Sequence, residues 1–250
     1  MNDFTIAIYC FVDDLLLKID DKSLDKRRKL TNSQIITTVI ISSKYFYGNQ
    51  VSACAYLKSH HGFDIPDKSN FNRILHSLTD LLADLFFALG VIFKNLNLSS
   101  VYLIDSFPVA ICKNIRICNA KLVRGEKFRG YNASKREYFY GFKVHVITTG
   151  EGIPVEFLVT AGSVPDNTTF QVMDIDLPEN GDLYGDAAYI NQQHKDLLLH
   201  FNQIRLKTAT KKNSIVKNTW AEELENRYYR KPSKIRLLTL TLNFQEKSTL

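Results

Sequence analysis

The chain changes its hydrophobic period at Val101, and that change limits its architecture more than any other feature. Before it, apolar residues recur at helical spacing; after it, they come as short continuous runs or strict alternation. Val101-Tyr102-Leu103-Ile104 is a continuous apolar run, as a strand buried on both faces requires, and it leads directly into Asp105, where the strand is expected to end. Glu137 to Thr149 alternates, with Tyr138, Tyr140, Phe142, Val144 and Val146 on one face and Phe139, Lys143, His145 and Ile147 on the other. Gly150-Glu151-Gly152 supplies a turn and Ile153 to Thr160 the returning strand, which predicts a hairpin. Asp182-Leu183-Tyr184-Gly185 predicts a further short strand ending at Asp186. Short helices are expected after the loop Gly162 to Asn167 and over Asn191 to His200.

Residues 1–98 predict helices only. Thr31-Asn32-Ser33 offers caps for a helix through Ile35, Ile36, Val39 and Ile40, stopped at Gly48. A second helix covers Val51 to Lys58, and a third runs from Phe71 to Leu98 with Ser69 and Asn70 as caps. Such a small all-helical domain serves packing, dimerisation or DNA binding, and the pattern does not separate these. A hydrophobic share of 45% with 23% charged residues excludes disordered, collagenous and coiled-coil classes. The four cysteines, Cys10, Cys54, Cys112 and Cys118, have no C-x-x-C spacing, so neither a zinc site nor a disulfide framework is expected. No apolar run approaches the about 18 residues of a membrane span, and the N-terminus lacks a basic leader. A cytoplasmic protein without a membrane partner is the expectation.

Charge is distributed in blocks. Residues 112–143 hold nine Lys/Arg against two Glu, and residues 205–236 hold ten against three, whereas 144–204 hold one Lys against nine Asp/Glu. Each run alone reads as a solvated face. Phe128, Tyr131, Tyr138, Phe139, Tyr140 and Phe142 are interleaved in the first block, however, and basic plus aromatic suits nucleic acid. Arg124, Lys127, Arg129, Lys135, Arg136, Lys143, Lys211 and Lys212 are the candidate contacts to double-stranded DNA.

Asp105 and Asp186 each follow an apolar strand, with a hairpin between them in sequence. If the two strands are neighbours, two like charges lie together, which is unfavourable unless they share a cation. Hard oxygen ligands favour Mg²⁺ or Mn²⁺, and such ions suit phosphodiester chemistry, for which a third carboxylate is needed.

The stretches YLIDSFPVAIC around Asp105, RGYNASKREYFYGFKVHVITTGEGIPVEF, and LYGDAAYI around Asp186 resemble the bacterial insertion-sequence transposases of the DDE class. So do LTNSQIITTVIISSKYFYGN and FNRILH, and the resemblance covers residues 28–231. It implies an RNase H-like mixed sheet flanked by helices, α+β or α/β in class, preceded by the helical domain. It also implies metal-dependent cleavage and joining of DNA at transposon ends, with Asp105 and Asp186 as the first two catalytic acids and metal ligands. His145 and Lys143 match a motif near that active site; the alternative for His145 is a hydrogen-bonded strand histidine. In the family, a Tyr/Arg/Lys stretch runs into Ile-Glu at the start of a helix and supplies the third acid. Here Tyr228-Tyr229-Arg230-Lys231 is followed by Pro232-Ser233-Lys234. Read from the third base of the Pro codon, those codons can encode Ile-Glu, and in the same frame Leu242 to Lys247 can read Lys-Phe-Pro-Arg-Lys, similar to the family's tail. Expected segments are therefore a helical domain over 1–98, an incomplete catalytic domain over 99–236, and an out-of-frame tail over 237–250. Glu222, Glu223 and Glu225 read as an exposed helix face. A homodimer is compatible with the sequence, and a non-catalytic DNA-binding remnant and a metal-dependent nuclease stay open as alternatives.

Overall fold

The computed structural model describes residues 2–19, 28–113, 123–132, 135–210, 214 and 217–230. The chain forms two compact units, Met1–Ala88 and Leu89–Leu250.

The first unit holds helices α1 (Asn2–Ile19), α2 (Asn32–Tyr45), α3 (Gln50–His61), α4 (Lys68–Ser77) and the start of α5 (Thr79–Leu96). Thr31 caps α2 in a reciprocal box with Gln34, and Asn49 caps α3 through the Ser52 amide. Leu30, Ile35, Leu57, Phe71, Ile74 and Leu78 form the core. The single helix expected over Phe71 to Leu98 is in fact two, bent by 55°. At Leu78 the backbone leaves helical geometry (φ −100°, ψ 13°). The hydroxyls of Ser77 and Thr79 there bond to the Ile74 and His76 carbonyls, a competition with the helical ladder that short polar side chains offer. The cap of α4 is Asp67, which accepts from the Ser69 and Asn70 amides, so those two residues are capped rather than capping. Helix α2 stops at Tyr45, ahead of Gly48, with Tyr47 at positive φ. Among the described residues no single helix is long and apolar enough to cross a membrane.

The second unit is built on a six-stranded sheet of β1 (Val101–Lys113), β2 (Arg129–Asn132), β3 (Glu137–Thr149), β4 (Pro154–Ala161), β5 (Asp182–Gly185) and β6 (Arg205–Thr208). The order is β2-β3-β1-β5-β6, with β4 also on β3. Strands β1 to β4 pair antiparallel, whereas β1–β5 and β5–β6 are parallel. Alternation separates two apolar faces. Tyr102, Ile104, Ile147, Leu183 and Leu206 bury one against Phe170 of α6 (Asp166–Val172), Leu198 of α7 (Gln192–Asn202) and Tyr189. Val101, Leu103 and Tyr184 form the other, where Tyr229 packs from a helix over residues 220–230, here α8. This mixed sheet with helices on both faces is the RNase H-like α+β arrangement that the resemblance implied. Strand β1 does not end at Asp105: its pairing with β3 continues from Tyr102↔Thr149 to Lys113↔Phe139, while β5 accompanies it only as far as Leu103. The four-residue strands β2 and β6 are too short to show a period.

A buried ion pair joins α5 to β4. Lys94 donates to Glu156 Oε1 at 2.9 Å, with side chains only 8% and 5% exposed, and also to the Asp176 carbonyl and carboxylate. The Asp176 amide in turn donates to Glu156 Oε1. One turn before Lys94, Gly90 permits the close approach, since a Cβ there would stand 2.3 Å from the Val155 carbonyl oxygen. Removing one member of a buried pair strands the other charge. Lys94→Met is therefore expected to lower unfolding stability by about 3–5 kcal/mol at neutral pH in urea titrations. The deficit should shrink as the pH falls and Glu156 takes up a proton; a deficit independent of pH would place the loss in packing instead.

Candidate active site

The parallel register Val101↔Asp182, Tyr102↔Leu183, Leu103↔Tyr184 carries Asp105 and Asp186 to the same level two residues further on. Alternation places both on the face of Leu103 and Tyr184. Asp105 Oδ1 accepts from the Ser106 amide at 2.9 Å. Asp186 Oδ1 accepts from the Ala188 amide at 2.8 Å and so caps the short 3-10 turn Ala187–Tyr189. Adjacent strands are about 4.8 Å apart, so the register, extended two residues past its last pair, brings the two acids next to each other. Their donor chemistry, hard oxygen only, fits Mg²⁺ or Mn²⁺. Among the described residues, no group of three His, Cys, Asp or Glu side chains is gathered in a way that could hold a metal.

The reverse face beneath these acids carries a second group, most of which the sequence reading passed over. Ser106 follows Asp105 and so points the other way, toward its strand partner His145. The Ser106 hydroxyl donates to Asp166 Oδ1 (3.2 Å), and Lys143 Nζ donates to the same oxygen (2.9 Å) and to the Val164 carbonyl (3.0 Å). His145 is fully buried, with Nδ1 3.4 Å from the Tyr189 hydroxyl and Nε2 3.3 Å from the Thr160 hydroxyl. Burial raises the Tyr189 phenol well above its ordinary value, and the charges of Asp166, Asp105 and Asp186 push the same way. Asp166 and Ser106 had a signal in the sequence: Asp166 follows Pro165 at a helix start, and Ser106 is fixed to the His145 face by alternation once Asp105 is assigned.

Helix α8 lies on the face of Asp105 and Asp186. Thr219 and Glu222 open it as a reciprocal cap, and Glu223 accepts from Thr210 and Asn218. Glu225 Oε1 accepts from the Tyr184 hydroxyl (2.6 Å) and from Lys207 (2.9 Å), contacts that hold its carboxyl below the usual range. The exposed-face reading holds for Glu222, which is exposed and serves as the cap, and is corrected for Glu223 and Glu225, which are partly buried and bonded to Thr210, Asn218, Tyr184 and Lys207. Tyr228, Tyr229 and Arg230 fall in the last described turn of α8 rather than ahead of a helix, because the cap at Thr219 starts the helix early. Pro232, Ser233 and Lys234, the site of the third-acid question, lie outside the described residues, as do Lys211 and Lys212. Arg124, Lys127, Arg129, Lys135 and Arg136 are exposed, whereas Lys143 is 18% exposed and committed to Asp166.

Burial pulls the His145 imidazole down to about 4, with Lys143 acting in the same direction and Asp166 opposing. The unfolded chain binds the extra proton between its ordinary value of about 6.5 and this lower one. The contribution of neutral His145 to stability is therefore complete above about pH 6.5 and is lost as the pH falls toward 4. An NMR titration should find its ring neutral at pH 5, and His145→Gln should flatten the acid side of the stability profile. A midpoint near 6.5 would refute this.

Two acids are thus set level by a parallel register on a mixed six-stranded sheet. No curated protein matched the chain, and no solved structure did. Residues 96–245 match the family model described as the transposase DDE domain, across all six strands and on through the stretch where the family's third acid is sought. With that match spanning more than half of its length, the chain belongs to the family of DDE-domain transposases.

Proposed function

We propose that this chain derives from an insertion-sequence transposase that acts on double-stranded DNA, with Asp105 and Asp186 as the two catalytic acids it retains. The observation that carries the reading is the common level and common face of those acids at the β1–β5 junction. Asp105 and Asp186 would hold Mg²⁺ or Mn²⁺, which when bound activates a water or 3′-hydroxyl and stabilises the leaving oxygen. The chain's own groups fix those carboxylates: the Ser106 and Ala188 amides each bind one oxygen. Lys143 and Ser106 hold Asp166 on the reverse face, away from the acids. Duplex DNA is bound through the basic block whose exposed members are Arg124, Lys127, Arg129, Lys135 and Arg136. Self-association as a homodimer fits Phe4 and Phe11, exposed two turns apart on α1.

We further propose that strand transfer by the chain as written is lost. The α8 glutamates all have hydrogen-bond partners within the fold, and Pro232-Ser233-Lys234 stands where the family pattern has Ile-Glu; both favour this second reading, a DNA-binding remnant. Removing one member of a set that acts as a unit removes most of the rate enhancement.

Two measurements test these proposals. Affinity for duplex DNA should fall steeply with salt, and Ala at Arg124, Lys127, Lys135 and Arg136 together should weaken all sequences alike and flatten the salt slope. A flat salt dependence in the unaltered chain would overturn the DNA reading. Strand transfer on the element's own ends, with Mg²⁺ or Mn²⁺, should be absent for this chain and present for a version in which the shifted frame after Lys231 is restored. Equal activity of the two would show that another residue supplies the third ligand, and hydrolysis without joining would favour a nuclease.

A further inference from the structure

The β2–β3 hairpin carries an aromatic surface that the proposed chemistry does not use. Tyr131 and Tyr138 are strand partners and lie on one face, with ring centroids 4.9 Å apart. The Arg129 guanidinium covers the Tyr138 ring at 4.7 Å, which makes a continuous series of cation, ring and ring. These are not core residues: Tyr131 is 51% and Tyr138 43% exposed. The hairpin is held from its other face, where the Phe139 ring fills the space over Gly130; a Cβ on that glycine would stand 2.4 Å from the ring. The Ser163 hydroxyl and amide bond to the Lys127 carbonyl and tie the start of the hairpin to the loop after β4. Two large rings are thus displayed on a braced support that does not need them for packing.

The rim decides the partner. Arg124, Lys127, Lys135 and Arg136, which flank the β2 strand and its turn in sequence, are exposed, against Glu126 and Glu137, and Glu126 is itself occupied by Arg129 and Tyr140. Cations flanking two half-exposed rings match a polyanion that presents flat, unpaired rings. Paired bases in a duplex keep their faces stacked on one another and offer no such surface.

We propose that Arg129, Tyr131 and Tyr138 form a stacking platform for an unpaired base in a DNA strand, such as one at a frayed or cut end. This rests on the reading that the chain acts on DNA, and adds to it a preference for an unpaired nucleotide beside the duplex. Cations of the rim hold the neighbouring phosphates while the base lies on the tyrosines. Catalysis plays no part in the platform, so it can be examined in the chain as it stands.

The full chain is titrated against a blunt DNA duplex and against the same duplex with three unpaired nucleotides at one 3′ end, one of them 2-aminopurine. The overhang probe should bind about fivefold tighter or more, with 2-aminopurine fluorescence quenched by stacking. Tyr131→Ala and Tyr138→Ala should each abolish that gain and the quenching while leaving blunt-duplex affinity within about twofold. Tyr131→Phe and Tyr138→Phe should retain both, because the rings remain. If an Ala variant fails to fold, Tyr131→Leu, which keeps bulk but has no π face, answers the same question. Blunt and overhang probes bound equally well would overturn the platform and leave the duplex-binding reading in place. So would Ala variants that keep the gain, whereas binding of neither probe would remove both.

Discussion

The short parallel pairing of β1 with β5 is the constraint on which the rest of the second unit depends. It spans three residue pairs, yet it fixes which residues can meet beyond it. Parallel strands are joined only by a long crossover, and here the intervening chain includes β2, β3, β4 and α6. A slip of one residue would turn one acid to the reverse face, since successive side chains alternate. Several features hold the register. Tyr102 and Leu183 are fully buried as partners. Asp182, at the start of β5, is gripped by Arg205 and Lys207 of β6. Gly185 lies against Ile104, where a Cβ would come within 3.0 Å of the Ile104 side chain, so the strands close without a spacer just before the acids.

The sheet also divides its charges between faces. Asp105 and Asp186 share one face, and Ser106, Lys143 and His145 share the other with Asp166 and Tyr189. On the reverse face the Lys143–Asp166 pair is half-buried, and a charged imidazole at the fully buried His145 would add a second cation beside Lys143. Burial keeps His145 neutral instead, as a hydrogen-bonding link between Tyr189 and Thr160. The GFKVH stretch therefore does two things from one strand: Lys143 neutralises Asp166, and His145 supports the turn that follows Asp186.

Much of this arrangement was legible because strand period and carboxylate position coincide. The hairpin Glu137 to Thr160 shows in alternation, and Val101 to Ile104 and Asp182 to Gly185 show as runs before acids. The extension of β1 to Lys113 was not legible, since Pro108 interrupts the apolar pattern and only the partner strand β3 carries the pairing through it. The break between α4 and α5 was hidden for the opposite reason: Ile74, Leu78, Leu81 and Leu85 keep a helical period across it, and the bend falls at Leu78, between the hydroxyls of Ser77 and Thr79. Asp166 escaped notice because its role is set by Lys143 and Ser106, which are 23 and 60 residues away in sequence.

Helix α8 shows why fold and chemistry can part company in such a chain. Its start is fixed by Thr219 and Glu222, its docking by Glu225 with Tyr184 and Lys207, and its packing by Tyr229 on the Tyr184 ring, with centroids 4.7 Å apart. Every one of these contacts is made by residues ahead of Lys231. None of the cap, the Lys207–Glu225 ion pair or the ring contact uses a residue beyond that point. The residues that seat the helix on the face of Asp105 and Asp186 all precede the place where an acid would follow. Docking of the helix through these contacts thus places no demand on the third acid, so the sheet, the two acids and the seat of α8 are specified separately from whatever follows Arg230.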